Sequence, residues 1–138
     1  MLNPIAFRLS PGQDLKRELD AVAAGNTLCA AYVITCVGSL KKAVLRYANQ
    51  EHGTELEGFF EIVSLTGTFS THGSHYHIAI SDDLGQTIGG HLLEGCRIYT
   101  TAEVVIGVLD DVEFLRTFDQ NTGFPELEIQ PLQLKKGE

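Results

Sequence analysis

The sequence is short of most features that assign a protein to a class at sight. No apolar run approaches the ~20 residues that span a bilayer. The longest, LCAAYVITCV at 28–37, is interrupted by Thr35 and is rich in β-formers, so no membrane partner is expected. The opening MLNPIAFRLS lacks a basic segment followed by an apolar one, which predicts no secretory leader. The three cysteines, Cys29, Cys36 and Cys96, form no CxxC pair and are odd in number. That pattern argues for reduced, mostly buried thiols rather than a disulfide framework, and with the missing leader it predicts a cytoplasmic protein. Neither GxSxG nor a phosphate-cradling glycine loop occurs. Basic charge is scarce as well: 10 Lys and Arg stand against 18 Asp and Glu, a net charge of −8. Nucleic-acid affinity rests largely on Lys and Arg neutralising phosphates. Here the basic residues are scattered, apart from Lys41, Lys42 and Arg46 and the tail pair Lys135 and Lys136.

What is present describes one globular domain. A chain of 138 residues with 43% hydrophobic and 20% charged residues can bury a core without staples. Residues 5–9 suit a short strand ended by Pro11 and Gly12. In residues 14–25, Leu15, Leu19, Val22 and Ala23 recur at helical spacing, with Asp14 as N-cap and Gly25 as stop. The period then changes to that of strands. Residues 30–40, 42–48, 59–70 (with a break or bulge at Gly67), 74–81, 87–93, 100–111 and 126–129 are the predicted strands. Residues 52–58 are expected to form a loop, residues 114–125 to end in a turn, and residues 130–138 to be a flexible tail. One helix against many strands predicts an α+β fold with a largely antiparallel sheet, a single domain with its core at about 5–129.

One hairpin carries most of the chemistry. In GSHYHIAISDDLGQTIGGHLLEG (73–95), His75, His77, Ala79 and Ser81 share one strand face, and Tyr76, Ile78 and Ile80 share the core face. Asp83, Leu84 and Gly85 fit a three-residue loop with glycine in the left-handed region. That loop pairs Asp82 with Gln86, Ser81 with Thr87, Ala79 with Gly89 and His77 with His91. His91 then lies on the face of His77 and His75, whereas a two-residue loop would send it to the other side. Three converging imidazoles suit zinc or another divalent transition metal, which commonly keeps an open position beside three protein ligands. Gly89 and Gly90 leave room for a ligand or another backbone to come close. Glu103 in TAEVVIGV and Glu61 in FFEIVSL interrupt apolar strands. Each is a candidate fourth ligand, imidazole partner or general base, and each is equally accounted for as a carboxylate on a wet sheet face. His72 and His52 sit in glycine-flanked loops and are expected to be solvated.

Three blocks, AAYVITCVGSLKKAVLR, EGFFEIVSLTGTFS and HYHIAISDDLGQTIGGHLLEGCRIYTTAEVVI, together resemble the PPC domain, the plants and prokaryotes conserved domain, over roughly residues 5–129. The resemblance implies a largely antiparallel sheet with a helix packed on it, assembled as a homotrimer. In plant members the domain follows an AT-hook and serves for assembly and partner contacts, with the segment matching FFEIVS implicated in partner binding. Prokaryotic members stand alone, are often called predicted DNA-binding proteins, and in some cases look like metal binders through histidines matching His75, His77 and His91. The absence of an AT-hook and the acidic charge set this chain apart from a DNA binder. Three functions follow as expectations. The first is a trimeric binding or regulatory module with a three-histidine metal or small-ligand site. The second is a transcription-associated DNA binder using a local basic patch around Lys41, Lys42 and Arg46. The third is a metal-dependent hydrolase or lyase with Glu103 or Glu61 as base.

Overall fold

The computed structural model describes residues 3–133. Asp14 starts the helix as the spacing predicts: its side chain accepts from the Arg17 N–H at 3.1 Å and from the Gly95 N–H at 2.7 Å. Orphan amides at a helix start need such acceptors. The helix α1 (Leu15–Gly25) buries Leu15, Leu19 and Ala23 along one stripe. Tyr76, 1% exposed, donates its hydroxyl to Asp20 at 2.9 Å and so ties α1 to the core face of the sheet.

The strands are β1 (Asn3–Leu9), β2 (Ala31–Arg46), β3 (Thr54–Ser70), β4 (Gly73–Ser81), β5 (Thr87–Leu92), β6 (Arg97–Val108), β7 (Val112–Asp119) and β8 (Phe124–Pro131). The first six form an antiparallel sheet in the order β1-β6-β2-β3-β4-β5, and the end of β2 also pairs with β5. β7 and β8 form a separate hairpin. It is anchored where the Ser70 hydroxyl donates to the Phe114 carbonyl at 2.7 Å and the Phe114 N–H donates to the Cys29 carbonyl at 2.9 Å.

Several predicted boundaries give way to bulges. Residues 30–40 and 42–48 are one strand, β2. Its register shifts between Leu40 and Lys42, so the buried positions change from even (Cys36, Leu40) to odd (Ala43, Leu45). An inserted residue reverses which face each later side chain takes, and in sequence this looks like an interruption. β3 behaves alike at Val63: Phe60 and Ile62 are buried before it, Leu65 and Phe69 after it. The bulge predicted at Gly67 is absent. Gly67 pairs in register with Tyr76, and a Cβ there would lie 2.3 Å from the Tyr76 ring. The expected loop at 52–58 is strand from Thr54 onward, because Leu56 packs inward while Glu55 pairs with Lys42 at 2.7 Å. Residues 114–119 belong to a strand that leads into the expected turn at 120–123, and the short strand at 126–129 extends from Phe124 through Pro131. The expected tail therefore starts later than 130, since Gln130 and Pro131 pair with Glu113 and Val112. Residues 134–138 of that tail lie outside the described residues.

Cys36 and Cys96 are buried and Cys29 is half-buried, all three as free thiols. Burial is the main cause that pushes Cys36 and Cys96 up to about 11, so both are protonated at neutral pH.

Two glycines separate the turn from the sheet closure. Gly85 has φ +78° and open space where a Cβ would stand, whereas a Cβ on Gly90 would lie 2.6 Å from the Arg46 carbonyl oxygen. Gly85→Ala is expected to cost about 1 kcal/mol through backbone strain alone. Gly90→Ala must push β2 from β5 and is expected to cost ~2–3 kcal/mol. Urea unfolding of both variants checks the order; a Gly90→Ala protein as stable as the parent would show that β2 does not close against β5.

Candidate metal centre

The turn between β4 and β5 forms as its chemistry dictates. The Asp82 N–H donates to Gln86 O at 2.9 Å, the Gly85 N–H to Asp82 O at 3.0 Å, and the Asp82 carboxylate accepts from the Leu84 and Gln86 amides at 2.9 Å each. The register follows: Ser81 opposite Thr87, Ala79 opposite Gly89 and His77 opposite His91. Tyr76, Ile78 and Ile80 are 1%, 2% and 0% exposed, so the core face takes them and the other face takes the histidines. Gly89 and Gly90 serve the approach of backbone. Added Cβ atoms there would lie 2.7 Å from Ile78 O and 2.6 Å from Arg46 O.

The three imidazoles meet. Ring centroids are 4.8 Å apart for His75 and His77, 5.0 Å for His75 and His91, and 4.5 Å for His77 and His91. One ligand nitrogen from each lies within 4.8 Å of the others, and the Nε2 atoms of His75 and His77 are 3.1 Å apart. Zinc–nitrogen bonds of about 2.0–2.1 Å at tetrahedral angles put ligand nitrogens about 3.3 Å apart. The His75–His77 edge, at 3.1 Å, already has nearly this length, and the other two separations are no longer than 4.8 Å. The donor set therefore fits a borderline divalent ion with one position left open.

The surroundings favour neutral rings. His75 is held below the usual imidazole range, first by partial removal from water, then by His77 and Arg116, with Glu126 opposing and Arg46 adding to the effect. His91 is lowered by removal from water first, then by Arg46, His77 and His75. A metal ligand must present a lone pair, so groups that disfavour the imidazolium also prepare the site.

The other sequence candidates lie elsewhere. Glu61 pairs with Ser81, four residues along β4 from His77, or roughly 13 Å at strand rise. Glu103 pairs with Arg8 and Val37 on β6, a strand separated from β4 by β2 and β3 in the sheet. Neither carboxylate belongs to the histidine group among the described residues. His72 is not simply solvated: its Nε2 lies 2.8 Å from Glu113. His52 is solvated, with its side chain 93% exposed. The supposed basic patch disperses, because Lys42 pairs with Glu55 while Arg46 pairs in register with His91. Arg46, Arg116 and Glu126 are the site residues that sequence patterning did not single out for this site.

Comparison with known proteins assigns the chain to a family and agrees with its fold. The model of the Plants and Prokaryotes Conserved (PCC) domain matches residues 1–110, and the chain belongs to that family. Bifunctional GlmU proteins from two Synechococcus strains are 46% identical to it over 126 and 124 residues. The chain spans about one fifth of the length of these curated relatives (20%). Among solved structures, a hypothetical protein from Salmonella cholerae-suis is 43% identical, with a TM-score of 0.93 and 95% of each chain covered. A metal-containing protein from Archaeoglobus fulgidus is 28% identical, with a TM-score of 0.80, over 91% of this chain and 93% of its own.

The lowered imidazoles set the sign of a pH dependence. Protons compete with an ion only where the rings protonate, and His75 and His91 do so below the ordinary value of 6.5. Zinc occupancy is expected to hold from pH 8 to 7 and to decline only below about 6.5. Equilibrium dialysis with metal analysis across that range checks it; half-release at or above pH 7 would contradict the assignment of neutral rings.

Proposed function

We propose that this chain is a trimeric binding or regulatory module of its family that holds one zinc-like divalent ion through His75, His77 and His91. The observation that carries the reading is the meeting of three ligand nitrogens within 4.8 Å on a face that the turn register dictates. The Archaeoglobus relative, described as metal-containing, supports it. When bound, the ion would supply a Lewis-acidic position open to a small ligand, and the surrounding residues fix its place and favour neutral rings at His75 and His91. The acidic balance of the chain and the pairing of Lys42 with Glu55 weigh against DNA as the ligand. A hydrolase or lyase reading with Glu61 or Glu103 as base has no support in where those carboxylates lie.

Untagged protein supplied with zinc is expected to hold about one ion per chain by elemental analysis. His91→Ala and His77→Ala are expected to lower zinc affinity by a hundredfold or more while the fold, read by circular dichroism, is kept, because these rings lie outside the core. Stoichiometry well below one ion per chain after zinc supplementation would overturn the reading.

The assembly has its own support. Val37, Phe59, Val63 and Tyr99 remain 60%, 55%, 57% and 42% exposed on the long strands, and Phe59 stacks edge-on with Tyr99 at 4.9 Å. Aliphatic and aromatic groups gathered in this way mark contact surfaces. Sedimentation equilibrium is expected to return about three times the 15.1 kDa chain mass, and Val63→Asp to shift it towards the monomer. A monomeric parent at micromolar concentration would remove the trimer.

A further inference from the structure

His75 and His91 form part of the wall of a recess of about 480 Å³ between the β4–β5 hairpin and β8. That volume lies in the range of small-molecule sites. Two arginines from different strands converge on it, Arg46 from β2 and Arg116 from β7. Arg116 is fixed in place: its Nη2 donates to the carbonyl and hydroxyl of Thr68 at 3.3 and 3.1 Å. Its stem lies over Gly73, where an added Cβ would be 3.1 Å from the Arg116 Cγ. Those contacts use one terminal nitrogen of a group that carries five N–H donors. Arg46 is less satisfied, since its Nε is buried without a hydrogen-bond partner among the described residues. A buried donor left without an acceptor is costly, and charged donors more so. Neither arginine forms an ion pair with a carboxylate among the described residues, in a chain where acidic residues outnumber basic ones. Leu93, Phe124 and Pro125 complete an apolar side of the recess, with the Phe124 ring 60% exposed.

We propose that this recess binds a small organic anion, with a carboxylate or phosphate group held by Arg46 and Arg116 and an apolar portion against Phe124 and Leu93. Guanidinium forks match such oxyanions in geometry and charge, and the acceptor answers the orphaned Arg46 Nε. Glu126 lines the same recess and opposes a second negative group, so the site selects ligands with one anionic end. A second anchor, from a ligand atom to the ion at His75, His77 and His91, rests on the metal reading; the arginine site does not.

The test titrates zinc-loaded and metal-free full-length protein with butyrate and with butyl phosphate by calorimetry, measuring zinc content on the same samples. At least one of the two anions is expected to bind, and the tighter one names the oxyanion. Arg46→Gln and Arg116→Gln are each expected to weaken that binding about ten- to hundredfold when variant and parent are compared in the metal-free form, where zinc uptake does not enter. Arg116 stands on the outer hairpin, so its variant keeps the test decisive if Arg46→Gln fails to fold. Zinc at one per chain with neither anion bound, or with binding indifferent to both substitutions, overturns the proposal and leaves the metal reading intact. Arginine-dependent anion binding in a protein that takes up no zinc upholds the proposal and removes the metal reading.

Discussion

Side chains on a strand alternate between two faces, so the β4–β5 register decides whether the candidate site exists at all. A shift of one residue would carry His91 to the side of Tyr76 and Ile78, into a core with no room for it. The three-residue turn prevents this through local means: Gly85 takes φ +78° and the Asp82 carboxylate gathers two amides of the turn. The hydrophobic pattern enforces the same choice from the other side. Ile78 and Ile80 are buried and must stay so, which leaves His75 and His77 outward. Local turn chemistry and global burial agree, which is the condition for one well-populated arrangement.

The second constraint is the closure of β2 on β5. It places Arg46 beside His91, and it requires Gly90, since any Cβ there would meet the Arg46 backbone. A cation next to a group of imidazoles would ordinarily be unfavourable for the protonated rings. Here it works with the partial removal of His75 and His91 from water to favour their neutral, lone-pair-donating forms. The same arginine, its Nε lacking a partner, makes this corner of an acidic protein attractive to an anion. One backbone contact therefore bears on both the proposed metal site and the proposed anion site.

The helix, the strand-rich fold and the histidine face were readable from sequence because each rests on contacts a few residues apart. Asp14 caps its own helix, Gly85 turns its own hairpin, and alternation from Tyr76 to Ile80 is intact. What escaped reading rests on longer separations. The shifts at Leu40–Lys42 and at Val63 reverse parity within single strands, so a continuous strand presents a broken pattern. Gly67 looked like a bulge, yet it is small because the Tyr76 ring lies across it. Glu61 and Glu103 drew attention as carboxylates in apolar strands, but such a pattern says only that one face is polar. It does not say which polar groups share a neighbourhood. Glu126, the carboxylate near His75, sits about fifty residues away in a strand whose neighbours are decided by how the β7–β8 hairpin docks.

That docking divides the labour of the site along the chain. The three histidines and Arg46 all fall within residues 1–110, the stretch that matches the family model, and they sit on strands held by the main sheet. Arg116, Phe124 and Glu126 belong to the hairpin beyond it, which is held by the Phe114 contacts to Ser70 and Cys29 and by Arg116 to Thr68. Exposed hairpins tolerate substitution more readily than buried sheets, because little of the core depends on them. The proposed ion site thus rests on the sheet, while the wall facing it belongs to the more exposed hairpin. In this chain the hairpin brings one guanidinium, one carboxylate and one aromatic ring to a recess whose other wall carries His75 and His91. On the proposed reading, the sheet would hold the ion's ligands and the hairpin would form the wall for a small-molecule partner, an arrangement in which binding specificity is set apart from the fold.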